Sequence, residues 1–413
     1  MKKHRRNNGD LSIVQKMGKL RAVKNNVFDI KTIDMQHHSA RSLKLILLFI
    51  CVTNFAMGQK IEKSVLDKTL SSYYPNGNEP GIAVAISQHG QVRYQYAVGI
   101  ADLKTKQKIT EKTHFRMASV SKQVTAQAIC SLFAQGKLKP TDQLGLFFDD
   151  LPLALQGVTV AQLLQHRSGI MDYEALIPSD RTAQVSDKDV LDYIRQTDTV
   201  YFPSGSQFRY SNTGYCLLAL IVEQVAKEPF AAFVKKHLFL PNGIRDGIVY
   251  TVDSNIPNRA FGYHPKGDTF VFADQSVTSA TQGDGGVYLS ALEYHQWANY
   301  LLDKRFPEAV IQDFLETERL PVKDGVSYNL GWFIYPLERN RLFFHSGEST
   351  GFHNIVYLDQ QRDLVITLFS NRDDLLIADA FDALLAVLKL PKPMNPSAQN
   401  KSVFGWLNAV YAN

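Results

Sequence analysis

Short β-rich runs sit at both ends of this sequence while helical spacing fills its middle, and this division constrains the fold more than any other feature. Pro80 and Gly81 open the apolar run 82–86, His89-Gly90 supplies a turn, and residues 92–98 run back with partial alternation, which is the pattern of a hairpin. Towards the other end, residues 330–335, 342–345, 354–358 and 364–369 form short β-rich runs separated by turn residues such as Arg339-Asn340 and the stretch 360–363. Connections this short favour antiparallel neighbours. Helical spacing occupies 119–134, 160–165, 187–195, 214–226, 229–238 and 291–302, and a further helix is expected over 375–388. The expected fold class is α/β (α+β): one antiparallel sheet built from both chain ends, flanked by helices, with an inserted, mostly helical lobe and a cleft between the two. No internal repeat competes with this reading.

The net charge of +5 would suggest an anionic partner, but it is not evenly spread. Residues 1–58 hold 11 Lys/Arg and 3 Asp/Glu, whereas residues 59–413 hold 34 and 37, so the body of the chain is slightly acidic. No basic stripe survives outside the leader, which argues against nucleic-acid binding. Within the leader, Arg41 and Lys44 precede the apolar run 45–52, and Ala56 and Gly58 follow as small residues, in the order of a secretory signal. The expected organisation is a leader over 1–58 with its signal at 35–58 (Met35 being a candidate start, so that 1–34 would not be translated), one main folded domain over 59–392 and a C-terminal tail over 393–413. The protein is therefore expected to be exported, periplasmic or extracellular, and to meet the membrane only through this segment, as an anchor if it is not cleaved. Beyond the leader only Cys130 and Cys216 remain, both in apolar runs, and they read as free buried thiols rather than as a disulfide or metal framework.

Three short patterns carry chemistry. Ser119-Val120-Ser121-Lys122 puts a hydroxyl and an amine one helical turn apart at the start of a helix. A serine hydroxyl is a weak nucleophile that needs a base within reach. A lysine with a lowered pKa can be that base, and N–H groups at a helix start can hold an oxyanion. Tyr210-Ser211-Asn212 follows the turn 202–205, and offers a phenol that can relay protons and an amide that can orient a substrate. Tyr74-Pro75-Asn76 and Tyr411-Ala412-Asn413 share the Tyr-x-Asn pattern but lie before the first strand and at the extreme C-terminus, and are set aside. His345-Ser346-Gly347 ends a β run ahead of Glu348, so a strand edge there can supply an oxyanion-hole N–H, and a glycine admits another backbone. Lys323-Asp324-Gly325 ranks second for this role because it precedes a strand instead of ending one.

In this order, Ser-x-x-Lys, Tyr-x-Asn and basic-x-Gly resemble the serine β-lactamase and penicillin-binding-protein superfamily, in its branch of class C β-lactamases, D-Ala-D-Ala carboxypeptidases and esterases. Stretches 80–84, 163–169, 202–205, 283–286 and 351–352 resemble it too, and the similarity spans about residues 62–390. The resemblance implies an acyl-enzyme on Ser119, with acid and base work shared by Lys122 and Tyr210. It also implies substrate contacts from Asn212 and from His345, Gly347 and Glu348, and an oxyanion hole from the N–H groups of Ser119 and Glu348. His345 stands where true β-lactamases carry lysine, and no glutamate loop of the class A type is present, so a carboxypeptidase or esterase is expected ahead of an efficient β-lactamase. The expected substrate is a small cell-wall peptide or an ester, with no cofactor and no metal. His-Glu-x-x-His spacing is absent among the eleven histidines, which argues against a metal-dependent hydrolase, and His166 reads as a packing or loop-orienting residue. The alternative is a weakly active or inactive sensor or scaffold on the same fold.

Overall fold

The computed structural model describes residues 62–302, 320–338, 340–395 and 402–412; the leader expected at 1–58 lies outside them. Its frame is an eight-stranded antiparallel sheet made of β1 (Ile82–Gln88), β2 (Gln91–Val98), β3 (Pro321–Lys323), β4 (Val326–Asn329), β5 (Trp332–Leu337), β6 (Asn340–Ser349), β7 (Phe352–Asp359) and β8 (Leu364–Ser370), in the order β3-β4-β5-β6-β7-β8-β1-β2. The expected joining of both chain ends is the β1–β8 ladder, in register from Ile82 opposite Ser370 to Gln88 opposite Leu364. β1 is a central strand covered on both faces, so nearly all of it is apolar and buried, whereas β2 is the sheet edge and alternates towards solvent. Their two-residue turn has positive φ at both His89 (51°) and Gly90 (71°), which matches the twist of a tight hairpin.

The longer helices are α1 (Lys63–Tyr73), α2 (Lys122–Ala134), α3 (Asp187–Arg195), α4 (Asn212–Ala226), α5 (Ala291–Leu302), α6 (Leu376–Val387) and α7 (Val403–Tyr411). Strand parity assigns two of them to opposite faces of the sheet. Tyr357 lies opposite Ile366 and packs its ring on Phe381 of α6, while Phe369, three residues from Ile366, packs on Tyr294 of α5 and on Phe115. An odd separation along a strand reverses the face. Phe115 precedes Ser119 by four residues, so the α5 face is the one that carries the nucleophile segment.

The structure departs from the sequence reading at three places. The expected helix from 119 begins as a tight 3-10 turn, Ala118–Ser121, before α2 starts at Lys122, because Ala118 enters it with φ of 48°. The stretch 229–238 forms a short helix, Phe230–Phe233, that widens into a π turn over Val234–Phe239. Residues 393–413, expected as a tail, carry α7, whose Val403, Phe404, Trp406, Leu407 and Val410 are all buried. Residue 61 to the C-terminus forms one unit, and among the described residues no helix is long and apolar enough to cross a membrane.

Asn371, just past β8, fastens the two chain ends. Its Oδ1 accepts from Gly81 N–H at 2.8 Å, and its Nδ2 donates to the carbonyls of Ile100 (3.0 Å) and Phe261 (2.9 Å), all without solvent access at Asn371. Asn371→Ala leaves these backbone groups buried without partners and is expected to cost about 3 kcal/mol, at 1–3 kcal/mol for each buried orphan, read as a lowered denaturation midpoint in urea.

Candidate active site

The nucleophile segment is pinned by three hydrogen bonds. Met117 N–H donates to Val287 O (2.8 Å), Ser121 Oγ accepts from Val287 N–H (3.0 Å), and Asn354 Nδ2 of β7 donates to Arg116 O (2.9 Å). These contacts hold Ala118 in left-handed backbone, a conformation that costs a non-glycine residue about 1–3 kcal/mol. The following residue, Ser119, is left partly accessible. Gly347 of β6 lies against this segment so closely that a Cβ there would sit 2.1 Å from Met117 O, which fulfils the expectation that a second backbone approaches it.

Lys122 is fully buried, yet each of its three protons has an acceptor: Ser119 Oγ at 3.1 Å, Asn212 Oδ1 at 2.8 Å and Asp284 O at 2.9 Å. Burial lowers its pKa, and the negative charge of Asp284 works in the opposite direction. Neutral lysine keeps two N–H groups and one lone pair. The Asn212 and Asp284 oxygens can only accept, so the lone pair of the neutral amine falls to the Ser119 hydroxyl.

Asn212 is held in turn. It begins α4, its N–H donates to Asp172 Oδ2 (2.7 Å), and its Nδ2 donates to Glu174 Oε1 (3.1 Å). Partial burial, then the neighbouring Asp172 and Asp284, push the Glu174 carboxyl up to about 7, against the Asn212 hydrogen bond and the Lys122 charge. Asp172, Glu174 and Asp284 were not singled out by sequence reasoning, since each contacts the motif residues only through the folded loops. Behind Lys122, ligand atoms of Asp187, Cys216 and Asp284 lie within 4.8 Å of one another. Asp187 there accepts from the N–H groups of Gln282 and Gly283, so this cluster already braces the loop that carries Asp284. Cys130 and Cys216 are both free and buried.

Tyr210 stands over Lys122, with the ammonium 5.0 Å from its ring centroid. Burial holds its hydroxyl well above the usual phenol pKa, while Ser119 draws it the other way, so the resting group is a phenol facing the nucleophile. His166 sets its placement: the two rings are 4.3 Å apart, and the neutral imidazole accepts from Ser211 N–H through Nδ1 at 3.2 Å. The structure thus gives His166 the orienting role read from the sequence.

His345 lies in the same cluster but is sealed. Its Nδ1 donates to Ser346 O (2.5 Å) and its Nε2 accepts from the Tyr328 hydroxyl (3.2 Å), which fixes the neutral tautomer. Burial pushes its pKa down to about 3, and the nearby Lys122 acts in the same direction against the Ser346 carbonyl. The substrate contact expected of His345 is therefore unavailable to its side chain, which instead braces the strand. β5 pairs with β6 only as far as Phe344, so among the described residues 345–349 show no pairing on that side. Glu348 lies on this open stretch, and burial raises its carboxyl to about 7.

The two motifs set aside have different fates. Tyr74 is buried at the end of α1. Tyr411, at the end of α7, enters the site, with its ring 4.6 Å from Tyr210 and its hydroxyl 2.8 Å from Ser346 Oγ. Lys323-Asp324-Gly325 forms the turn between β3 and β4, where Asp324 accepts from Trp406 Nε1 (2.9 Å).

A sheet closed by both chain ends, a helical lobe and a buried lysine bonded to an accessible serine define the class of penicillin-binding-protein-like serine hydrolase folds. Residues 64–389 match the family model described as Beta-lactamase, and the chain belongs to that family, within the serine β-lactamase and penicillin-binding-protein superfamily. It is 28% identical to penicillin-binding protein 4* of Bacillus subtilis, over 70% of this chain and 68% of that one. It is 25% identical to the putative penicillin-binding protein PbpX of the same organism, over 74% of each. Among solved structures, a penicillin-binding protein of Bacillus halodurans superposes with a TM-score of 0.68 at 23% identity, over 78% of this chain and 98% of that one. A D-amino acid amidase of Ochrobactrum anthropi gives 0.66 at 23% identity, over 79% and 98%.

Gly347→Ala tests the close approach. The added methyl meets backbone, so either β6 or the Ser119 segment must shift. Since a displacement of about 1 Å can cost 10²-fold in rate, hydrolase activity is expected to fall by about that factor while the protein remains folded by circular dichroism.

Proposed function

We propose that the protein is an exported serine hydrolase that forms an acyl-enzyme on Ser119 and acts on small D-amino-acid-containing peptides, amides or simple esters. The observation that carries this reading is the Ser119–Lys122 pair, in which the other two protons of the amine are committed to Asn212 and Asp284. Neutral Lys122 takes the proton as Ser119 Oγ bonds to the substrate carbonyl carbon. The carbonyl oxygen becomes an oxyanion held by the N–H groups of Ser119 and Glu348. The carbon–nitrogen or carbon–oxygen bond then breaks, and the leaving amine or alkoxide receives a proton passed from Lys122 by way of the Tyr210 hydroxyl. Water repeats the sequence on the ester, releasing the acid and restoring Ser119. Tyr210 serves as the relay rather than as the resting base because burial keeps it a phenol. The relatives' names and the amidase neighbour support this class of substrate, and the basic, apolar and small-residue order of residues 41–58 supports export.

Intact-mass spectrometry after mixing with a p-nitrophenyl ester or a fluorescent penicillin tests the reading. The unaltered protein should gain a covalent mass or turn over the ester, and Ser119→Ala should do neither. A folded protein that does neither, or a Ser119→Ala variant that still does, overturns it. Lys122→Arg keeps a cation that cannot give up its proton, so acylation is expected to fall by about 10²–10⁴-fold. Protonated Lys122 cannot accept a proton, so kcat/KM should rise with pH as Lys122 deprotonates. Because burial lowers that pKa, the plateau should come below the ordinary lysine range.

A further inference from the structure

The open edge of β6 beside the nucleophile is where an extended substrate could add as a further strand, and the chain's own C-terminus already occupies part of it. At Ser346 the backbone carbonyl takes the His345 Nδ1 proton, and the side chain meets the Tyr411 hydroxyl at 2.8 Å. Burial and then the Glu348 charge raise the Tyr411 pKa, and the Ser346 hydroxyl and backbone draw it the other way. Along a strand the N–H groups of residues i and i+2 point to the same side, so Glu348 N–H opens onto the edge that Tyr411 covers at Ser346. One turn back on α7, the amide nitrogen of Asn408, oriented so that both its atoms are satisfied, donates to Glu348 Oε1 at 2.7 Å.

The chemistry left at this end of the cleft suits no anion. His345 is neutral with both nitrogens engaged. The three protons of Lys122 are committed elsewhere, and the one acidic side chain on the open stretch, Glu348, would repel a carboxylate if ionised. Nor is α7 a loose flap, since its apolar residues from Val403 to Val410 are buried and the Tyr411 ring packs on Tyr210.

We propose that Tyr411 is a specificity-determining residue: it closes the Ser346 end of the strand edge and excludes substrates that would place a free carboxylate there, so that the enzyme takes amides and esters whose groups on that side are neutral. This rests on the acyl-enzyme reading above, and it selects among the substrates which that reading admits. The Tyr411 hydroxyl stands in for the substrate oxygen that the Ser346 hydroxyl and N–H would otherwise bind.

The test compares N-acetyl-D-alanyl-D-alanine with its C-terminal carboxamide, which differ only in the terminal charge, as competitors of p-nitrophenyl ester turnover by the full chain. The unaltered enzyme should favour the carboxamide at least tenfold. Tyr411→Phe keeps the ring and frees the Ser346 donors, and Tyr411→Ala also opens the space. Both should move the ratio towards the free carboxylate, the alanine variant by at least tenfold. A ratio within twofold of the unaltered enzyme in both folded variants, or an unaltered enzyme that favours the carboxylate, overturns the inference while ester turnover and the Ser119 adduct leave the acyl-enzyme reading standing. If no Ser119 adduct and no ester turnover occur, both fall.

Discussion

Everything in this site depends on how one ammonium is buried. Moving a lysine out of water is costly unless every proton finds an acceptor, and the three acceptors of Lys122 come from three separate parts of the chain: the turn that holds Ser119, the start of α4 at Asn212, and the loop carrying Asp284. The same three bonds that make the burial tolerable leave a neutral Lys122 with a single direction for its lone pair. Stability and chemical direction are therefore one arrangement, and a change in any of the three segments disturbs both.

The supports around this centre are largely backbone. Asp172 caps α4 so that Asn212 projects towards the lysine, and His166 takes the Ser211 N–H so that Tyr210 stands over it. Gly283 shows the same economy as Gly347: a Cβ there would meet Tyr215 O of α4 at 2.1 Å, and the Gly283 carbonyl accepts from Thr125 Oγ1 of α2 at 2.6 Å. Close packing of main chain on main chain fixes positions more firmly than side chains that retain rotamer freedom.

Strand periodicity, turn residues and the three ordered motifs made the sheet, its closure by both chain ends, and the residues Ser119, Lys122, Tyr210, Asn212 and Gly347 legible before any coordinates. They were legible because each rests on local spacing. Asp172 and Glu174 stayed hidden because they act some forty residues from Asn212 with no pattern of their own, and Asp284, though inside the family-like stretch 283–286, gave no sign that its carbonyl would meet Lys122. Tyr411 was misread for the opposite reason. It had a pattern, but its place at the end of the chain suggested a tail, and only the buried face of α7 shows that the last turn packs into the site.

The histidine at 345 separates the two levels most clearly. Its identity alone established that this position beside the nucleophile carries no permanent cation, since imidazole is largely neutral near pH 7. That it cannot meet a substrate at all follows from the tertiary structure, which spends one nitrogen on Ser346 and the other on Tyr328 within a buried aromatic cluster. The sequence by itself determined which chemical groups are present and which elements carry them, because helix and strand periods are local properties. Which groups are buried, which protons are already committed and which strand edge is closed were decided only by contacts between distant segments, since burial and hydrogen-bond satisfaction belong to the assembled fold.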